Sequence, residues 1–280
     1  DSSVQSTWYD SYTQTYSGNA GLAWRFDTAG VGHTLSFGVT GMKQEAGNAY
    51  IPAPGSVPSN IYNPVPLPPN TAVRTEPVKA SDTTLSSYAL ADTLSIDDGR
   101  WLVTAGARHQ TVRVQGSYDA SAVTPLAAVV FKPIDNVSVY ANYTAGLTRG
   151  QTVSLTASPP YSNGGAVLDP FKSKQVEAGV KDDWGTVTTT AAVYELKRPS
   201  AIRNAANALA YDGEQRNRGL ELSAYGELQR GLRGTASVAF IDPKLTRTAG
   251  GANEGNDAAG VPDFTASGGA DWVKAWAPGL

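Results

Sequence analysis

The stretch Gln175-Val-Glu-Ala-Gly-Val-Lys-Asp-Asp-Trp184 decides the fold class. In an extended chain Val176, Ala178, Val180 and Trp184 fall on one side, while Gln175, Glu177, Lys181 and Asp183 fall on the other. A period of two predicts a strand with a different solvent on each face. The apolar side ends in Trp rather than in a run of Leu and Ile, as expected where a strand crosses a bilayer and its aromatic ring sits at the interface.

Working outward, Gly185 and Gly231 mark tight turns, and strands are predicted at 173–184, 186–198, 214–228 and 232–241. Leu220, Leu222, Ala224 and Leu228 share one face of the third; Leu232, Ala236, Val238 and Phe240 share one face of the fourth. Between the second and third lies a polar hairpin tip, 199–212, whose Ala-Asn-Ala-Leu-Ala could instead make one helical turn.

Toward the N-terminus, Leu22, Trp24 and Phe26 alternate with polar or small residues, as do Leu35, Phe37 and Val39 after Ala29-Gly30. They predict a hairpin, preceded by a separate aromatic strand at 4–16. From 46 to 82 the period vanishes among Pro52, Pro54, Pro58, Pro64, Pro66, Pro68, Pro69 and Pro77, and proline cannot occupy a sheet interior. This stretch reads as a long loop or as a linker between two domains.

Strands at 83–96 and 101–115 flank Asp97-Asp98-Gly99, a strong hairpin signal. A short connection near Gly116 leads to strands at 123–132 and 137–147, then to a loop at 148–172. A glycine-rich loop at 248–260 precedes a last strand through Phe264 and Trp272. In all, about twelve strands are predicted in up-and-down order, with short turns on one rim and long loops on the other, as in outer-membrane barrels.

Composition narrows the functional classes. Charged residues make up 17%, mean hydropathy is −0.26, and no run approaches the roughly 18 apolar residues of a membrane helix. A strand barrel is still allowed, because only alternate residues need be apolar. Cysteine is absent, which excludes a disulfide framework and thiolate metal sites. A net charge of −3 argues against a nucleic-acid partner.

Several of these stretches together resemble the barrel of TonB-dependent siderophore receptors. They are Lys172-Ser-Lys-Gln-Val-Glu-Ala-Gly-Val-Lys181, Asp212-Gly-Glu-Gln-Arg-Asn-Arg-Gly-Leu-Glu-Leu222, Val261-Pro262, Trp101 to Arg108 and Val137 to Leu147. The resemblance runs from about residue 20 to 275. It implies an all-β, antiparallel, up-and-down transmembrane β-barrel present only in part, about twelve of roughly twenty-two strands. Residues 1–280 would then be an internal fragment of the barrel domain, with the plug and C-terminal strands elsewhere. Asp1-Ser-Ser-Val-Gln-Ser6 shows no secretory leader, in keeping with a fragment.

The resemblance further implies an outer-membrane receptor of a bacterial cell, monomeric at full length, that imports a ferric siderophore with energy passed through TonB and the missing plug. Iron would arrive as part of the ligand; no cofactor is bound directly. The alternatives are a passive, porin-like channel and, less favoured, a soluble all-β binding protein. Enzyme chemistry is not expected. The carboxylate pairs Asp97-Asp98 and Asp182-Asp183 sit at predicted turns, and His33 and His109 have no partner at ligand spacing.

A ferric siderophore is a polar complex best held by aromatic faces with cationic or amide donors. Candidate contacts therefore lie in the long loops: Tyr50 and Tyr62 in 46–82; Arg149, Tyr161 and Phe171 in 148–172; Arg203 and Tyr211 in 199–213. The bland alternative for any one of them is bracing of loop against loop. Inward charges such as Arg25, Glu177, Lys181, Glu221 and Glu227 read as a polar wall.

Overall fold

A computed structural model describes residues 2–148 and 150–273. Its strands are β1 (Ser2–Val4), β2 (Thr7–Thr28), β3 (Val31–Pro52), β4 (Val57–Ser59), β5 (Val78–Ile96), β6 (Trp101–Val114), β7 (Tyr118–Ile134), β8 (Val137–Thr148), β9 (Phe171–Asp183), β10 (Val187–Arg203), β11 (Leu209–Gln229), β12 (Leu232–Arg247) and β13 (Phe264–Trp272). Apart from β1 and β4, which pair with each other, they form one 11-stranded sheet. Its order, β13-β12-β11-β10-β9-β8-β7-β6-β5-β3-β2, follows the chain without a crossover.

The up-and-down strand order holds, and the strands near the N-terminus are corrected. The strand expected at 4–16 and the one through Leu22 to Phe26 are a single strand, β2, of 22 residues. At about 3.4 Å per residue it is far longer than the roughly 9–11 residues that cross a bilayer. In its N-terminal part Tyr9 and Tyr16 are exposed while Asp10 and Tyr12 pair with Arg74 and Glu45, so no apolar period joins the two halves.

The chain falls into two compact units. The first comprises Asp1–Asn19, Thr40–Ser86 and Thr111–Asp119; the second comprises Ala20–Val39, Ser87–Gln110 and Ala120–Leu280.

In the first unit, the non-periodic stretch is shorter than expected, 53–77, because β3 runs on to Pro52 and β5 starts at Val78. It is an ordered loop rather than a linker. Antiparallel pairing of Ser2–Val4 with Val57–Ser59 clamps it. Hydrogen bonds from Ser6 Oγ to Pro68 O (2.9 Å) and from Asn70 Nδ2 to Ile51 O (2.8 Å) hold it further. Arg74 pairs with Asp10 and lies over the Trp8 ring.

Beyond the apolar stretches of these strands, Lys79 bridges Glu45 (3.0 Å) and Asp82 (2.7 Å), and Tyr12 donates to Glu45 (2.8 Å). These partners depress the carboxyls: Arg74 lowers Asp10, Tyr12 and then Lys79 lower Glu45, and Lys79 lowers Asp82. Depressed carboxylates stabilise the unit above their ordinary pKa of about 4, and that contribution is lost as pH falls through the lowered values. We expect the local unfolding of 53–77, followed by a fluorophore on a Tyr62→Cys variant of the full-length receptor, to need less urea at about pH 3 than at about pH 6. Between about pH 6 and pH 8 it should not move, since these groups are ionised throughout.

In the second unit, every connection closing one end of the strands is short: 29–30, 97–100, 135–136, 184–186 and 230–231. Asp97, Asp98 and Gly99 all take positive φ (55°, 54° and 84°), with Arg100 N donating to Asp97 O at 3.0 Å. Asp182 accepts from Asn136 Nδ2 (2.8 Å) and Asp183 from the Gly185 amide (3.0 Å), so both of its carboxylates serve turns. The alternate connections are not all long, which corrects the expected sorting. Those at 149–170 and 248–263 are long, but 204–208 is a tight turn, as is 115–117 in the first unit. No helix forms at 199–212; both strands simply extend toward the tip.

Cross-strand register fixes the faces. Val139, Val180, Ala191, Leu222, Val238 and Ala266 form one continuous row across β8 to β13. Val193, Leu220, Phe240 and Phe264 lie in the next. Both rows are largely exposed, and among the described residues no second layer covers them. On the other face Glu177, Tyr140 and Tyr194 are neighbours, with Gly219 and Glu221 close by. Trp184 and Trp272, 66% and 55% exposed, edge the apolar face beside the short turns.

Candidate functional site

At the end of β8 to β11 opposite the short turns, two segments meet. Loop 149–170 folds on itself around Val153, which is buried and exchanges backbone hydrogen bonds with Ala166 O (2.8 Å) and the Gly165 amide (2.9 Å). The 204–208 turn docks onto it. Asn163 bonds both ways with the Leu209 backbone (3.0 and 2.9 Å), and Ser162 N donates to Asn207 O (2.9 Å).

Arg203 is the centre of this seam. Its guanidinium donates to Pro159 O (2.6 Å) and Pro160 O (3.1 Å), and lies 3.9 Å from the Tyr161 ring centre. Five fixed donors suit such a task. The expected residues Arg203 and Tyr161 thus face each other, in contacts that join loop to strand end.

Phe171 and Tyr211 are also brought together, with ring centroids 4.8 Å apart. The Gln151 amide donates to the Tyr211 hydroxyl at 3.0 Å, which ties the loop base to β11. Arg198, which the sequence reading missed, lies over Phe171 at 5.8 Å. These three side chains, with Thr148, Gln151 and Gln215, line a hollow of about 400 Å³. Register puts Phe171 opposite Thr148, and Arg198 opposite Gln215, on the face that carries Glu177.

Amide donors continue down that face. Gln215 Nε2 donates to Asn217 Oδ1 and Gln175 Nε2 to Glu177 Oε2, each at 3.0 Å. Tyr140 donates to Glu177 at 2.8 Å. An aromatic pair, a cation and amides around one hollow can hold a polar complex of flat or rounded chelating groups. A larger hollow of about 640 Å³ lies on the apolar face, between Val176, Val193 and Phe240.

Tyr50 lies within β3 rather than in a loop, and Tyr62 sits in the 53–77 loop; they are 62% and 90% exposed and belong to the first unit. Arg149 is outside the described residues. One polar pair escaped the sequence reading: His33 Nδ1 lies 2.7 Å from Asp92 Oδ2, from 59 positions away. Among the described residues no cluster of metal-ligating side chains forms.

Comparison with known proteins agrees with the fold. The family model "TonB dependent receptor-like, beta-barrel" matches residues 1–280. The ferrichrome receptor FcuA of Yersinia enterocolitica is 33% identical over 280 residues, covering 94% of this chain and 37% of its own length. The probable TonB-dependent siderophore receptor PiuA of Acinetobacter baumannii is 23% identical over 275 residues, covering 84% of this chain and 36% of that protein. Among solved structures, BauA, the ferric preacinetobactin receptor of Acinetobacter baumannii, superposes with a TM-score of 0.79 at 33% identity. That match covers 96% of this chain and 42% of BauA. The chain therefore spans little more than a third of the curated relatives it matches.

Proposed function

This chain belongs to the TonB-dependent receptor β-barrel family, and from that premise we propose that it is part of the membrane wall of a bacterial outer-membrane receptor for ferric siderophores. Uptake would be energised through TonB by way of a plug that this chain does not supply, and iron is cargo rather than a resident cofactor. Residues 1–280 are then one portion of the barrel domain of a longer, monomeric receptor. In this reading the apolar rows from Val139 to Ala266 face lipid, and the face with Glu177 and Glu221 lines the interior.

The observation that carries the ligand assignment is the hollow between Phe171, Tyr211 and Arg198. It sits on the interior-facing side, at the end of the strands that carries loop 149–170. A porin-like channel has no need of an aromatic and cationic cup there, and relatives named for ferrichrome and ferric preacinetobactin support the receptor over the channel. Tyr161 and Arg203 support the cup by fixing its loop. Tyr50, Tyr62 and Arg149 remain candidate contacts of the same ligand, which would approach from the outer side.

The test uses the full-length receptor in iron-starved cells lacking other siderophore receptors. A panel of ferric hydroxamates and catecholates identifies the complex it imports. Replacing Phe171, Arg198 and Tyr211 together by Ala should then weaken binding of that complex at least roughly thirtyfold, at unchanged surface abundance. Unchanged affinity at normal abundance removes the hollow from the site. A loss explained wholly by lower abundance assigns these residues to bracing instead.

A further inference from the structure

Asn163-Gly164 is the single Asn-Gly pair in the sequence. Such a pair ordinarily marks a two-residue hairpin turn, which needs positive φ at both positions. Neither residue has it here; that conformation falls on Gly165, at 81°. Packing does not call for a glycine at 164 either. A Cβ there would stand 3.5 Å from the Leu155 side chain and from Tyr161 O, an ordinary van der Waals contact. The glycines that follow Asp98 and Asp212 differ, since Gly99 has a φ of 84° and a Cβ at Gly213 would collide with Ser200. Gly164 is thus left unexplained by backbone or by space. What a glycine contributes after Asn is chemical: with no side chain to shield it, its amide nitrogen reaches the carboxamide carbon readily, and Asn is already among the thermolabile residues.

The fold puts this pair at the latch between loop 149–170 and the 204–208 turn. Asn163 Oδ1 accepts from the Leu209 amide (2.9 Å) and Nδ2 donates to Leu209 O (3.0 Å), so one carboxamide satisfies both backbone groups of a buried residue. The Gly164 amide donates to Tyr161 O at 3.2 Å, the long end of the normal range. While the seam is closed, the carboxamide and the amide nitrogen are each engaged elsewhere. Arg203 keeps it closed through Pro159 O and Pro160 O, and Ser162 N through Asn207 O.

We propose that Asn163 is a deamidation site whose rate is set by docking of loop 149–170, and that its conversion releases the loop. When the seam opens, Gly164 N attacks Asn163 Cγ. The Cγ–Nδ2 bond breaks, the Gly164 N–H proton ends on the leaving group, and ammonia departs from a cyclic imide. Water then opens the ring at either carbonyl, leaving Asp or iso-Asp at 163. Neither oxidant nor cofactor enters. Both products place a carboxylate, which only accepts, against Leu209 O, where a donor stood. Leu209 is buried, so an unpaired carbonyl facing a second acceptor opposes redocking. In iso-Asp the main chain is also rerouted through the side chain. The proposal holds whatever ligand the receptor imports.

The experiment incubates the folded full-length receptor, its Arg203→Ala variant and its Gly164→Ala variant in mildly alkaline buffer. Peptide mass spectrometry that separates Asn, Asp and iso-Asp follows residue 163. The unaltered receptor should convert slowly to a mixture of Asp and iso-Asp. Arg203→Ala should convert about tenfold faster, because the charge-assisted hydrogen bonds that favour the closed seam are gone. Gly164→Ala should fold normally and keep its Asn. Limited proteolysis reads the second half of the proposal: in the converted receptor, and in Asn163→Asp made directly, loop 149–170 should be cut much sooner than in Gly164→Ala. If Arg203→Ala does not insert, low urea applied to the unaltered receptor opens the seam in its place. Equal conversion with the seam open and closed would overturn the control by docking. A converted loop as resistant to protease as the unconverted one would overturn the release.

Discussion

Replacing Leu222 by Arg in the full-length receptor should destabilise the inserted barrel by about 2–4 kcal/mol, the cost of a cation on the lipid face near mid-membrane. Leu222 stands between Ala191 and Val238 in the middle of the apolar row, 40% exposed and with no polar neighbour in that row to accept a charge. The adjacent residue gives the control. Ser223 pairs with Thr190 and Ser237 on the opposite face, so Ser223→Arg should leave insertion nearly unchanged. Urea titration of the two variants in lipid vesicles measures the difference. Equal penalties at the two positions would mean that the faces have been assigned wrongly.

A second large effect is expected at Gly179. It lies opposite Tyr140 on β8 and Ala192 on β10, where the Tyr140 ring covers the glycine. A Cβ there would stand 2.8 Å from the ring and 2.7 Å from the Ala191 carbonyl oxygen. The ring can swing aside, but the strand backbone cannot. Gly179→Ala should therefore cost about 1–3 kcal/mol, as overpacking does elsewhere. Removing the ring first, in a Tyr140→Ala background, should reduce that cost without abolishing it. The double-mutant cycle separates the two contacts, and full additivity would show that Tyr140 does not cover Gly179.

Strands with an apolar and a polar face were legible in the sequence, and strand segments without that contrast were not. From Gln175 to Trp184 the alternation gives register and faces correctly, because every second residue must satisfy an apolar medium. In β2 only Leu22 to Phe26 carry that demand; upstream, Asp10 and Tyr12 pair with Arg74 and Glu45 while Tyr9 and Tyr16 are exposed, and one long strand reads as two. Proline density marked 46–82 as a loop or linker, of which the structure leaves 53–77 outside the long strands. It could not show that pairing of Ser2–Val4 with Val57–Ser59 and the Arg74–Asp10 pair would hold the loop in place.

The candidate site was legible as residue types and not as partnerships. Tyr161 and Arg203 were expected as ligand contacts, yet the proline carbonyls at 159 and 160 and the Tyr161 ring already engage the guanidinium. Arg198 was overlooked because it sits within a strand, between Lys197 and Pro199, where nothing local distinguishes an interior-facing cation from an outward one. Its role follows from register with Gln215 and from Phe171 arriving on the neighbouring strand. His33 and Asp92 meet for the same reason, as pairing of distant strands is invisible to spacing along the chain.

These 280 residues contain no cysteine, so once any cysteine elsewhere in the receptor is replaced by serine, their faces can be read one residue at a time. The direct test places single cysteines at 175–181 in the full-length receptor in cells, and labels each with a membrane-restricted thiol reagent and with a water-soluble one. Val176→Cys, Ala178→Cys and Val180→Cys should react with the former, and Gln175→Cys, Glu177→Cys and Lys181→Cys with the latter. Labelling without a period of two, or with the two sets exchanged, would contradict a membrane wall built as described.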